Sequence, residues 1–180
     1  DSAAQHEHAI ALFDAERAEQ IGEAVGQRGQ LTVADIAPTA RLVVWDILCL
    51  GRTGSGERYA KGTARIATRI ERGGRALWVE RAVLGAGSAA MDAAPGLAGR
   101  TVFGTLLATG GPVDDGLLAA CRALRPEEGE GAVTRLPGLL VARYLGPSTE
   151  AGHDYFTRLW AVLRPALTGL AAQPPRIWRT

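Results

Sequence analysis

Two carboxylates stand in strongly apolar company. Asp46 lies within residues 42–50, an almost unbroken apolar run, and Glu80 lies within residues 76–84. Read as strands, which send alternate side chains to opposite faces, the runs place Asp46 beside Leu42, Val44, Leu48 and Leu50, and Glu80 beside Trp78, Ala82 and Leu84. A buried, unpaired carboxylate is expensive, so each needs an ion pair, hydrogen bonds or internal water. The plain solution is a pair with Arg52, Arg69 or Arg81. The functional alternative is an internal polar passage in which the carboxylates steady a passing cation. Oxygen ligands suit brief contact with a divalent ion better than a thiolate trap does.

Other constellations are weaker. His6-Glu7-His8 puts two imidazoles on one face of a strand, enough for two metal ligands but with no third nearby. Exposed polar positions are the plainer reading, and a metal site would need His153 or a carboxylate brought in by the fold. The serines Ser2, Ser55, Ser88 and Ser148 lie in no GxSxG elbow, and no local motif supports a hydrolytic triad; no catalytic residue is assigned. The glycine-rich residues 51–57 lack the Gly-Lys-Ser/Thr ending of a phosphate loop and run into an alternating segment, so they read as a bend between strands. Cys49 and Cys121 lie far apart, without the CxxC spacing of a zinc ribbon or any sign of a disulfide framework.

The elements that must position these residues are mostly strands. Residues 31–36 alternate, and Ala37-Pro38-Thr39 turns the chain. The run 42–50 suits a strand covered on both faces. Residues 58–71 alternate again, with Ala64, Ile66 and Ile70 on one face and Thr63, Arg65 and Arg69 on the other. Gly73-Gly74 is a hairpin turn into a partner strand over 76–84. A loop of small residues, 85–99, leads to a strand over 101–109. Asp114 or Asp115 caps a short helix with Leu117, Cys121 and Leu124 inward. Strands over 132–136 and 139–145 meet at Pro137-Gly138. Phe156, Leu159, Trp160, Leu163, Leu167 and Leu170 form one apolar helical stripe, which Pro165 should kink or nearly end. Residues 173–180 form an extended tail. At the other end, residues 5–13 read as a strand and 14–29 as a short helix or irregular connection.

Composition narrows the class. Apolar residues make up 47% and charged residues 22%, which suits one globular domain over residues 1–180. Twenty basic residues against 19 acidic ones give a formal charge of +1, with no electrostatic footprint for nucleic acid or an anionic membrane. No apolar run reaches the roughly 18 residues that span a bilayer. Residues 1–20 carry acids where a signal peptide needs a basic start and an apolar stretch. A cytoplasmic setting is the expectation.

The segment Trp45-Asp46-Ile47-Leu48-Cys49-Leu50-Gly51-Arg52, followed by Gly56-Glu57 and Gly62, resembles the central motif of the UreD (UreH) family of urease accessory proteins. The resemblance continues at Val79-Glu80-Arg81, at Gly104-Thr105-Leu106-Leu107, at Leu163-Arg164-Pro165 with Leu167-Thr168-Gly169, and at Pro175-Arg176-Ile177-Trp178-Arg179-Thr180. These blocks keep their order from about residue 31 to the last; residues 1–30 match poorly, and the family's further amino-terminal strands are not found. The resemblance implies a mainly β, layered superhelical fold with two helical segments near the carboxy end. It implies a non-enzymatic, cytoplasmic scaffold that binds urease apoprotein, recruits UreF and the GTPase UreG, allows a dimer formed through UreF, and passes nickel to the urease centre with no permanently bound cofactor. Asp46 and Glu80 match acidic family positions and become the nickel-transit residues. Gly51, Arg52, Gly56 and Glu57 match a structural bend. The alternative is a β-rich interaction module without a metal role, in which Arg176 and Trp178 anchor a partner.

Overall fold

The computed structural model describes residues 27–51, 59–175 and 178. Strands dominate: β1 (Gln27–Ile36), β2 (Leu42–Cys49), β3 (Thr63–Arg72), β4 (Arg75–Gly85), β5 (Val102–Thr109), β6 (Glu130–Leu136) and β7 (Leu139–Gly146). The helices are α1 (Ala89–Asp92), α2 (Asp115–Ala123) and α3 (Thr149–Thr168). One sheet has the order β1-β3-β4 and the other β2-β5-β7-β6. Every pairing is antiparallel except β1 with β3, which run parallel from Gln27↔Thr63 to Ile36↔Arg72.

Three layers result, with two cores between them. Strands β2, β5 and β7 are buried on both faces, as the apolar run over 42–50 predicts for β2. Their odd and even positions serve different partners. Val43, Trp45, Leu106, Ala108, Leu140 and Ala142 pack with Tyr155, Phe156, Leu159, Trp160 and Leu163 of α3. Leu42, Val44, Leu107, Leu139 and Val141 face the three-stranded sheet and pack with Ile70 and the neighbouring Trp78. At about 25 cal/mol per Å² of apolar surface removed from water, these two cores are the main source of stability.

Local chemistry explains the element ends. Gly73 and Gly74, at φ 57° and 73°, turn β3 into β4 with left-handed backbone that a Cβ would oppose. Asp114 caps α2, its side chain accepting from the Leu117 N–H at 2.7 Å. Ser148 does the same for α3, accepting from the Ala151 N–H at 3.1 Å. Pro165 lies inside α3 without ending it; the helix runs on to Thr168 and is closed by left-handed Gly169.

Several expectations need adjustment. Strand β1 reaches back to Gln27, into the segment read as helical or irregular, while β3 begins at Thr63 rather than at residue 58. The loop over 85–99 contains the short helix α1. The strand expected over 5–13 lies outside the described residues. The mainly β character, with α2 and α3 toward the carboxy end, is as anticipated.

Candidate functional site

The register brings three polar side chains into one row. Asp46 on β2 pairs with Thr105 on β5, and Thr105 pairs with Arg143 on β7. Paired residues of an antiparallel ladder point to the same face, so the row faces the three-stranded sheet. There Glu80 on β4 pairs with Thr68 on β3, and Thr68 is only 5% exposed. The row lies directly beyond the apolar contacts of Val44, Leu107 and Val141 with Ile70 and Trp78. The inter-sheet space therefore contains a polar layer stacked on an apolar one.

Arg143 joins the two sheets. Its Nη1 donates to Glu80 Oε1 at 2.6 Å and to Thr105 Oγ1 at 2.8 Å. The guanidinium lies 5.5 Å from the centroid of the Trp78 ring, within cation–π range. The Arg143 side chain is 46% exposed and that of Glu80 19%. A pair so open to water stabilises the fold by about 1 kcal/mol at most. Neither of the described arginines expected as carboxylate partners fills that role: Arg69 pairs with Glu71, and Arg81 on β4 is exposed. Arg52 lies outside the described residues. Arg143 was legible in principle, because the alternation of Leu139, Val141 and Arg143 places a cation on a buried strand face.

Asp46 is the most perturbed acid in the layer. Burial, the largest cause, pushes its carboxyl up to about 6, and the nearby Glu80 charge adds to the rise. A hydrogen bond from the Thr105 backbone and the charge of Arg143 pull the other way. The layer thus holds two carboxylates from opposite sheets and one guanidinium between them. Such a set combines a carboxyl that changes charge near pH 6 with a carboxylate already paired to a guanidinium. Among the described residues, no group of three or more His, Cys, Asp or Glu side chains gathers to hold a metal ion.

The other candidate residues lie elsewhere. Gly51 follows β2 with φ 94°, the left-handed backbone expected at a bend. Arg52, Gly56, Glu57, His6, His8 and Arg176 fall outside the described residues. Trp178 sits edge-on against Trp45 and Trp160, at centroid distances of 5.0 Å for both, and 6.0 Å from His153. Its indole is thus part of an aromatic cluster joining the tail to β2 and α3. His153 contacts Trp45 and Trp178 there and does not approach the polar layer. A shallow surface depression lined by Gly111, Pro112, Arg135 and Pro137 adds no chemistry. No helix among the described residues is long and apolar enough to cross a membrane.

The family model described as UreD urease accessory protein matches residues 24–179. A urease accessory protein UreD of Azoarcus sp. (strain BH72) is 51% identical over 156 residues, covering 86% of this chain and 55% of the relative. That of Nitrosococcus oceani is 48% identical over 149 residues, covering 83% and 50%. That of Dechloromonas aromatica is 42% identical over 160 residues, covering 86% and 56%. The chain therefore spans about half the length of these relatives, which are named as accessory proteins and not as enzymes. With a family match that extends from before β1 to the tail, and with Asp46 and Glu80 both inside it, the chain belongs to the UreD family of urease accessory proteins.

Proposed function

We propose that this chain serves urease maturation as a non-enzymatic, cytoplasmic accessory protein, and that the polar layer between its sheets lies on the path of nickel. In this reading residues 1–180 form one unit of a layered β superhelix. It binds urease apoprotein together with UreF and UreG, with UreF as the link in a dimer, and it keeps no metal of its own. The observation that carries the reading is the meeting of Asp46 and Glu80 from opposite sheets within one layer. Two carboxylates without a third donor fit a cargo that must leave again. With its carboxyl raised only to about 6, Asp46 is largely ionised at neutral pH and offers a second oxygen donor set beside Glu80.

The test is complementation of a urease operon from which this gene has been deleted, with nickel supplied. Asp46→Ala and Glu80→Ala should each lower urease activation several-fold while the variants still co-purify with UreF. Wild-type activation by both variants would remove the nickel role. The second reading, an interaction module without a metal role, draws on the Glu80–Arg143 ion pair, which satisfies Glu80 with no ion present. It expects full activation by both variants.

A further inference from the structure

We propose that Arg143 is a displaceable counter-cation. It occupies Glu80 between ion passages and sets how weakly a divalent ion is held in the polar layer. The proposal rests on the reading of that layer as a cation passage.

The position of the guanidinium is the first observation. It is built from both sheets: Glu80 and the Trp78 ring come from β4, and Thr105 comes from β5. One Nη1 shared between a carboxylate and a hydroxyl places its positive charge where an incoming cation would bind. Exposure is the second observation. The Arg143 side chain is 46% exposed, and the Glu80 side chain that it covers is 19% exposed. The cation of the pair can swing into water on its long stem, while the carboxylate stays on its strand. Charge is the third. When Asp46 and Glu80 are both ionised, Arg143 reduces the sum of the three groups from −2 to −1. Arg69 is tied to Glu71, and no other described cation reaches either carboxylate through a hydrogen bond or ion pair.

The physical consequence follows from Coulomb repulsion. A positive charge within a few ångströms of a divalent ion raises the ion's energy at any plausible local dielectric. Two bare carboxylates would hold the ion longer; with Arg143 present, the ion must displace the guanidinium to bind and is expelled when it returns. Glu80 stays paired throughout, so it never becomes a buried unpaired charge.

The experiment is equilibrium dialysis of the purified chain against nickel chloride at low ionic strength. Wild type is compared with Arg143→Gln, Arg143→Lys, Asp46→Asn and Glu80→Gln, and folding is checked by circular dichroism. Arg143→Gln should tighten nickel binding about tenfold, because a neutral amide no longer opposes the ion. Arg143→Lys keeps the charge and should stay within about threefold of wild type. Unchanged or weaker binding by folded Arg143→Gln, or equal tightening by the Lys variant, overturns the counter-cation role. If Asp46→Asn and Glu80→Gln also leave binding unchanged, the passage reading falls with it; if they weaken binding, only the counter-cation role falls. Should Arg143→Gln fail to fold, labelled wild-type protein decides. The Arg143 side-chain Nε–H resonance should shift on saturation with zinc, a closed-shell stand-in, and a fixed resonance overturns the proposal.

Discussion

Asp46 must ionise at neutral pH in a space that favours the proton, and this links the residue to stability. Its carboxyl is raised from 3.8 to about 6, with burial first among the causes. The folded state therefore binds the proton more tightly than the unfolded chain does. Stability from this group is complete below pH 3.8 and is lost as pH rises through about 6. Asp46→Asn, which cannot ionise, should stabilise the protein by about 2 kcal/mol at pH 7.5 and by little at pH 4. Urea denaturation of both proteins at the two pH values measures the difference. A gain that is the same at both values would mean that the carboxylate charge is not the source. A group whose charge costs the fold stability is also one that the proposed function requires, a common arrangement at functional sites.

Between α3 and the sheet, element spacing is set by residues without side chains. A Cβ on Gly152 would meet Tyr144 Cδ1 at 2.8 Å, and one on Gly104 would lie 2.7 Å from the Asp46 carbonyl and 2.9 Å from Phe156 Cε2. Gly152→Ala should therefore destabilise the protein by about 1–3 kcal/mol, because crowding in a packed core outweighs the helix preference of alanine. A shift of the urea midpoint checks it, and a midpoint that rises would mean the contact yields freely. The sequence shows the apolar stripe of α3 because Leu159, Trp160, Leu163 and Leu167 keep helical spacing. It does not show which glycines admit the helix, since that depends on tertiary contacts such as that of Gly104 with Phe156, 52 positions along the chain. The strand phases of Asp46 and Glu80 were equally legible, because alternation is local. The partner of Glu80 was not identified, although Arg143 lies in an alternating strand, because choosing among arginines requires knowing that β7 borders β5. Glu80 and Arg143 stand 63 positions apart.

The whole molecule leaves one broad face uncovered among the described residues. Leu31 and Val33 on β1 and Val79 and Val83 on β4 are 41–61% exposed on the outer side of the three-stranded sheet. Exposed apolar side chains on edge strands promote association, and β1 and β4 are the two edges of that sheet. Val33→Lys combined with Val83→Glu should lower self-association without changing the circular dichroism spectrum. Sedimentation at several concentrations checks it, and unchanged association would place the sticky surface elsewhere. Arg65, Arg69 and Arg81 are also exposed on β3 and β4.

The parallel pairing of β1 with β3 has a consequence in time. The two strands join Gln27 to Thr63, and all of β2 lies between them in the other sheet. Loop-closure entropy makes so distant a pairing slow compared with the β3–β4 hairpin or the β6–β7 hairpin, which need only short turns. The three-stranded sheet is complete in sequence by Gly85, whereas the four-stranded sheet holds β2 from before it and must wait for β5, β6 and β7. The hairpin carrying Glu80 forms from neighbouring segments, whereas Arg143 emerges 63 residues later. Until β7 is made, the acids of the polar layer have no guanidinium between them, and a chain arrested there would present an unneutralised pair of carboxylates to the cell.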